Sequence, residues 1–131
     1  IDLYTEDGTY WMRVVEDQPD PLNHFSIFYD DRVMMVVRRR NFVHPRAASM
    51  DHRVRCSHII GNVRIGGRSD RGDLVVTSNF QVLVFYRNEQ RAYGGTYEHH
   101  LLKHGDGFRI RHKKVVLINC DAPQRSLIIY L

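Results

Sequence analysis

Eight histidines and two cysteines are the residues of this 131-residue chain that could hold a metal. Their spacing argues against it. His100 and His104 stand four apart, a spacing that joins two ligands on a helix, but they fall at a strand end and a turn. Cys56 and Cys120 lie far apart and read as small, buried, reduced hydrophobes, which points to a cytoplasmic protein. No Cys-x-x-Cys, His-Glu-x-x-His or facial-triad pattern is present. The stretch Gly66-Gly67-Arg68-Ser69-Asp70-Arg71-Gly72-Asp73 is glycine-rich but lacks phosphate-loop spacing, and no helix is expected after it, so it reads as a hairpin loop. Its Arg71-Gly72-Asp73 triplet resembles an adhesion motif by chance. No Ser-His-Asp order stands out. One set could do acid–base work: Tyr10, His58, Asn79 and Asp121, if a bent sheet turned them into a common pocket. His58, flanked by Ile59 and Ile60, reads more readily as a buried, hydrogen-bonded structural histidine.

The elements that would position these residues fall into two halves. Residues 1–7 read as the end of a helix, stopped at Asp7-Gly8. Thr9-Tyr10-Trp11-Met12 is a short strand of β formers. Asp17-Gln18-Pro19-Asp20-Pro21 is an irregular loop. Residues 30–40 carry acids at the start (Asp30, Asp31), arginines at the end (Arg38, Arg39, Arg40), and Val33, Val36 and Val37 on one face. That charge order favours a helix over a buried strand. Four long antiparallel strands follow, about 54–65, 73–87, 91–103 and 108–121, separated by turn signals. Gly61, Gly94 and Gly95 inside them suggest bulges or bends. In the second strand Leu74, Val76, Phe80, Val82, Val84 and Tyr86 share an apolar face, against Thr77, Asn79 and Gln81. In the fourth, Arg109, Arg111 and Lys113 share a face opposite Phe108 and Ile110. Such a sheet rests one face on a core and offers the other to solvent and a partner. The apolar stretch Ser126-Leu127-Ile128-Ile129-Tyr130-Leu131 calls for burial.

Length and composition fit one soluble domain spanning residues 1–131, with 43% hydrophobic and 26% charged residues. Its apolar runs are far short of a transmembrane span, and Ile1-Asp2-Leu3-Tyr4 does not read as a signal peptide. No membrane partner is expected. The net charge of +4 is mild. Basic clusters at Arg38–Arg40 and Arg109–Lys114 have no nucleic-acid motif beside them, so no nucleic-acid partner is expected; an acidic protein or an anionic substrate is compatible. The chain opens without Met, as a processed or partial sequence does.

Four segments resemble the small (beta) subunits of aromatic-ring-hydroxylating dioxygenases: LYTEDGTYWM (3–12), SIFYDDRVMMVVRRR (26–40), RCSHIIGNV (55–63) and YEHHLLKHGDGFRIRHKKVVLINCDAP (97–123). They occur in the family's order and cover most of the chain. Ser57 stands where the family commonly has an arginine before the histidine. The resemblance implies an α+β fold, a strongly curved antiparallel sheet wrapped by helices into a cone (cystatin-like, nuclear-transport-factor-like, SnoaL-like). It also implies that an N-terminal helical segment is missing here. It further implies a non-catalytic scaffold in an oligomeric, ring-hydroxylating dioxygenase of aromatic hydrocarbon catabolism. The small subunits would form a trimer bound to large (alpha) subunits, which would carry a Rieske iron–sulfur cluster and a mononuclear iron. This chain, without paired Cys and His ligands, would carry no cofactor and no metal. Trp11, Arg55, His58, Asn62, Asn119, Asp121 and Tyr130 would then be interface or scaffold residues. The alternative is a stand-alone SnoaL-like dehydratase, isomerase or cyclase using Tyr10, His58, Asn79 and Asp121.

Overall fold

The architecture is one long curved sheet with a helix and a C-terminal segment folded against it. The structure, a computed structural model, describes residues 1–44 and 53–131. In chain order the elements are β1 (Tyr4–Arg13), β2 (Ser26–Asp31), α1 (Arg32–Val43), β3 (Arg55–Arg68), β4 (Leu74–Tyr86), β5 (Glu89–His104) and β6 (Gly107–Leu117). The six strands line up as β2-β1-β6-β5-β4-β3. Every neighbouring pair is antiparallel except β1 and β6, which run parallel. The expected antiparallel sheet thus gains one parallel junction, because the first strand returns beside the last.

β4 shows how the sequence chooses its faces. Ser78, Phe80, Val82, Val84 and Tyr86 are buried, while Thr77, Asn79, Gln81 and Leu83 between them are exposed. Period-two patterning therefore fixes the register of the sheet's centre. Tyr97 of β5 stacks on Phe80 with ring centroids 4.0 Å apart and planes 8° apart. The core also takes in Tyr10 and Met12 of β1, Met35 of α1, Val115 and Leu117 of β6, and Leu131. The two strands β5 and β6 come so close at Gly95 that a Cβ there would lie 2.1 Å from the Val116 carbonyl oxygen. Only glycine fits at that point.

Several expectations from sequence change here. Residues 1–7 do not end a helix. Tyr4 onward is strand, and Asp7-Gly8 lies within it. The pairing to β6 jumps from Tyr4–Ile110 to Thr9–His112, so β1 bulges where the sequence suggested a helix stop. Helix α1 is present, and Asp31 caps it by accepting from the Met34 N–H at 2.8 Å. Its buried residue is Met35, however, while Val33 and Val37 are exposed. The three valines do share a helical face, but one that is not turned to the core. α1 is the one helix among the described residues. Of the cysteines, Cys120 is buried as expected, but Cys56 lies exposed on edge strand β3.

In β6 the expected alternation is broken. His100 pairs with His112 and Leu101 with Ile110, which leaves Arg111 as an extra residue. A one-residue bulge brings Lys113 to the same face as Ile110, not the opposite one. Lys113 therefore points into the apolar interior, and Arg111 is free to reach the β3–β4 hairpin.

The C-terminal stretch is buried as its composition demands. It crosses the inner face, where the Leu131 N–H donates to the Tyr10 hydroxyl oxygen at 3.3 Å and Leu131 is 2% exposed. Tyr130 donates its hydroxyl to Asp30 Oδ2 at 2.6 Å. Asp30 is also held by Arg38, whose Nε and Nη2 donate at 2.5 and 3.2 Å. This buried carboxylate thus ties β2, α1 and the C-terminal segment together.

Candidate functional site: the inner cavity and the exposed edge strand

The inner face of the sheet bounds a cavity of about 470 Å³. Tyr4 and Tyr10 come from β1, His58 and Ile60 from β3, Tyr97 and His99 from β5, Ile110 and Lys113 from β6, and Tyr130 and Leu131 from the C-terminal segment. Among the described residues Lys113 is the one Lys or Arg in its wall, on the face opposite to the one the sequence pattern gave it. Its Nζ donates to the Leu131 carbonyl oxygen at 2.7 Å and lies 4.1 Å from the Tyr97 ring centroid and 5.7 Å from that of Tyr10. Burial pushes its pKa down to about 8. Burial, with help from Lys113, pushes His99 down to about 4. The Tyr97 hydroxyl is raised to about 12 by burial, and burial raises Tyr4 and Tyr10 too. The cavity thus holds tyrosines and a His99 imidazole kept neutral by burial, the Lys113 ammonium, and the His58 ring from β3.

Tyr10 and His58 line this cavity, but Asn79 and Asp121 do not. Asn79 points to the outer face, where it accepts from Asn62 Nδ2 at 3.0 Å. Asp121 is exposed in the turn after β6. The sheet separates the four, so they form no common acid–base set. The reason lies in alternation: Asn79 is one residue from Phe80, which takes the inner face.

The outer face is polar where β1, β5 and β6 meet. Lys114 Nζ lies 2.7 Å from Glu98 Oε2, His100 Nε2 lies 3.1 Å from Glu98 Oε1, and Thr9 Oγ1 lies 2.7 Å from His112 Nδ1. Burial, followed by the nearby His100 and Lys114, lowers the His112 pKa to about 4. Trp11 is buried here, donating Nε1–H to Ser26 Oγ at 2.9 Å, with the Arg13 guanidinium 4.5 Å over its ring.

β3 is different in kind. It is a 14-residue edge strand, exposed along nearly its whole length. Ile59, Ile60, Val63 and Ile65 are 66%, 48%, 62% and 74% exposed, and the neighbouring Leu83 is 44% exposed. A long apolar edge is a surface that soluble proteins avoid leaving uncovered. Asn62, at φ 51°, bulges this strand between Gly61 and Arg64. Arg55 lies 4.5 Å over the Phe85 ring at the strand's start. Of the residues expected at interfaces, Arg55, His58 and Asn62 sit on this strand. Asn119 and Asp121 are exposed beyond β6, whereas Trp11 and Tyr130 are largely used inside the chain.

The Arg71-Gly72-Asp73 triplet is not presented for adhesion. Asp73 is 1% exposed and accepts from Arg111 Nη1 at 2.7 Å, while Arg71 pairs with Asp7 at 2.8 Å. Among the described residues no three His, Cys, Asp or Glu side chains converge as metal ligands. Cys56 and Cys120 sit on an edge strand and beyond β6 respectively. The described residues bring together no ligand set for an iron–sulfur cluster or a mononuclear iron. No helix among the described residues is long and apolar enough to cross a membrane.

The sequence reading missed Lys113, His99 and Tyr97 as cavity residues. The signal for Tyr97 was there, since it alternates with Gly95 and His99. Lys113 was hidden by the bulge at Arg111.

Comparison with known proteins agrees with this picture. Residues 1–124 match the ring hydroxylating beta subunit family. The 2-halobenzoate 1,2-dioxygenase small subunit of Burkholderia cepacia is 28% identical over 124 residues, 91% of this chain and 74% of that protein. The crystal structure of the beta subunit of benzoate 1,2-dioxygenase from Burkholderia mallei superposes with a TM-score of 0.72 at 25% identity, over 94% of this chain and 78% of that one. A naphthalene 1,2-dioxygenase structure shares the fold, with a TM-score of 0.77 at 16% identity, over 98% of this chain and 71% of that one. An inner cavity walled by a curved sheet, an uncovered apolar edge strand and a family match over nearly all its length lead to one assignment: this chain belongs to the ring-hydroxylating dioxygenase beta-subunit family.

Proposed function

We propose that this chain is the non-catalytic scaffold of a ring-hydroxylating dioxygenase, and that it carries large alpha subunits on a core of its own copies, most simply a trimer. Family membership over residues 1–124 is the observation that carries this reading. The exposed apolar strand β3 supports it by supplying a surface that needs covering. Chemistry would reside in the larger partner, where a Rieske cluster and a mononuclear iron would be held. This chain's described residues form no ligand set for either. Its contribution is to position: the Asp30–Arg38–Tyr130 and Asp73–Arg111 anchors keep the sheet's curvature fixed while β3 and the turn carrying Asn119 and Asp121 meet the partner. The related dioxygenases suggest aromatic compounds as the substrates of the assembly, and the two free cysteines fit the reducing cytoplasm as its place.

Native mass spectrometry of the purified chain, alone and co-expressed with its large subunit, tests the assembly. A trimer that takes up an equal number of larger chains supports the proposal. A chain that stays monomeric in both conditions overturns it. The reading as a stand-alone enzyme gains nothing from the geometry, since Asn79 and Asp121 lie outside the cavity that Tyr10 and His58 share.

A further inference from the structure

The inner cavity has features that a scaffold role leaves unused. Its walls are aromatic and aliphatic: Tyr4, Tyr10 and Tyr97 on one side, Ile60, Ile110 and Met35 on others. A pure packing defect would be apolar throughout or filled by side chains. Here an ammonium is aimed into it. An ammonium has three N–H donors. Lys113 spends one on the Leu131 carbonyl oxygen, and its contacts with Tyr97 and Tyr10 are to ring faces. No Asp or Glu is among the described residues that line the cavity. The remaining donors face a space walled by tyrosines, the imidazole of His99 and hydrocarbon.

We infer that this cavity is a binding site for small carboxylic acids with an apolar body, in which Lys113 receives the carboxylate and the tyrosine faces and aliphatic walls hold the body. The size fits: cavities of about 300–1,000 Å³ hold small organic ligands, and this one measures about 470 Å³. The charge fits a monoanion. Among the described residues that line the space Lys113 is the one Lys or Arg, and no helix N-terminus is there, so a phosphate dianion would enter undercompensated. His58 and Ile60 place one wall of the cavity on β3, while Lys113 and the tyrosines Tyr4, Tyr10 and Tyr97 stand on β6, β1 and β5. The cost of keeping Lys113 charged in an apolar wall, visible in its lowered pKa, is recovered when an anion arrives.

The test is isothermal titration calorimetry of the full-length chain, and of its complex if one forms, with 4-phenylbutyrate and with the uncharged 4-phenylbutyramide. Near neutral pH the acid is expected to bind with a Kd below about 1 mM and at least about tenfold more tightly than the amide. Lys113→Met should remove that preference. The titratable groups that share the cavity with Lys113 are Tyr4 and Tyr10 from β1, His58 from β3, Tyr97 and His99 from β5 and Tyr130 from the C-terminal segment, and the Leu131 carbonyl accepts from its Nζ. Burial holds the tyrosine hydroxyls above, and the His99 imidazole below, the range near 8 in which Lys113 changes charge. In the unaltered chain the acid's advantage should therefore shrink as pH rises well past about 8. This second measurement stands even if the variant fails to fold. Equal affinity for acid and amide, no binding of either at millimolar concentration, or a preference that persists at high pH or in folded Lys113→Met would overturn the proposal.

Discussion

Arg111 donates Nη1–H to Asp73 Oδ1 at 2.7 Å and so fastens β6 to the hairpin between β3 and β4, two elements 38 positions apart in the chain. Both side chains are withdrawn from water, at 16% and 1% exposure. Without Arg111 the buried Asp73 charge is uncompensated, and without Asp73 the Arg111 guanidinium is left with the half-exposed Asp7 carboxylate, 3.6 Å from its Nε. Asp73→Asn is therefore expected to lower the unfolding free energy by about 3 kcal/mol, as read by urea denaturation. Adding Arg111→Met should recover part of that loss, and a double-mutant cycle measures the coupling. Independent, additive effects of the two changes would show that the pair does not act as a unit.

Gly95 is the point of closest approach between β5 and β6. A methyl group there meets the Val116 carbonyl oxygen at 2.1 Å, and that atom is backbone in the sheet's centre. Gly95→Ala should cost about 3 kcal/mol or more, seen as a fall in the thermal midpoint. Gly94→Ala meets its nearest atom, the Phe80 carbonyl oxygen, at 3.6 Å and should be tolerated far better.

Stability should fall on acidification, and the sign follows from two histidines. Burial lowers the pKa values of His99 and His112 from 6.5 to about 4. Between those values the unfolded chain binds more protons than the folded one, so the unfolding free energy rises with pH there. The histidine contribution is complete above about 6.5 and is lost as pH falls toward about 4. Lys113 acts in the same sense at higher pH: folding becomes more favourable from about 8 up to 10.5. Urea midpoints across the acid range check this, and His112→Gln should flatten the slope. A midpoint independent of pH in that window would contradict the burial of both rings.

The sheet was legible in the sequence wherever alternation ran unbroken. β4 reads directly from Phe80, Val82 and Val84, and the hairpins from their turn residues. The start of α1 was visible as Asp31 ahead of an arginine-ended stretch. What escaped were the places where one residue too many enters a strand. Asp7-Gly8 looked like a helix stop because a β1 bulge uses the same residue types as a cap. The extra Arg111 in β6 reversed the expected facing of Lys113 and concealed the cavity's one ammonium. The exposure of Cys56, Val33 and Val37 escaped for another reason: period and propensity say which residues share a face, but not which face is covered. The candidate acid–base set failed on the same ground, since nothing local tells that Asn79 and His58 look out from opposite sides of the sheet.

The most direct test of the scaffold account is affinity purification of the tagged chain from its native cell, with mass identification and iron analysis of what comes with it. The unaltered chain should bring down a larger subunit in equal amount, carrying iron. Ile59→Lys with Ile65→Lys, at positions 66% and 74% exposed, should leave the fold's stability within about 1 kcal/mol yet reduce the recovered large subunit at least about tenfold, a loss of roughly 1.4 kcal/mol in association. A chain recovered alone and free of iron, from cells that make it normally, would contradict the account.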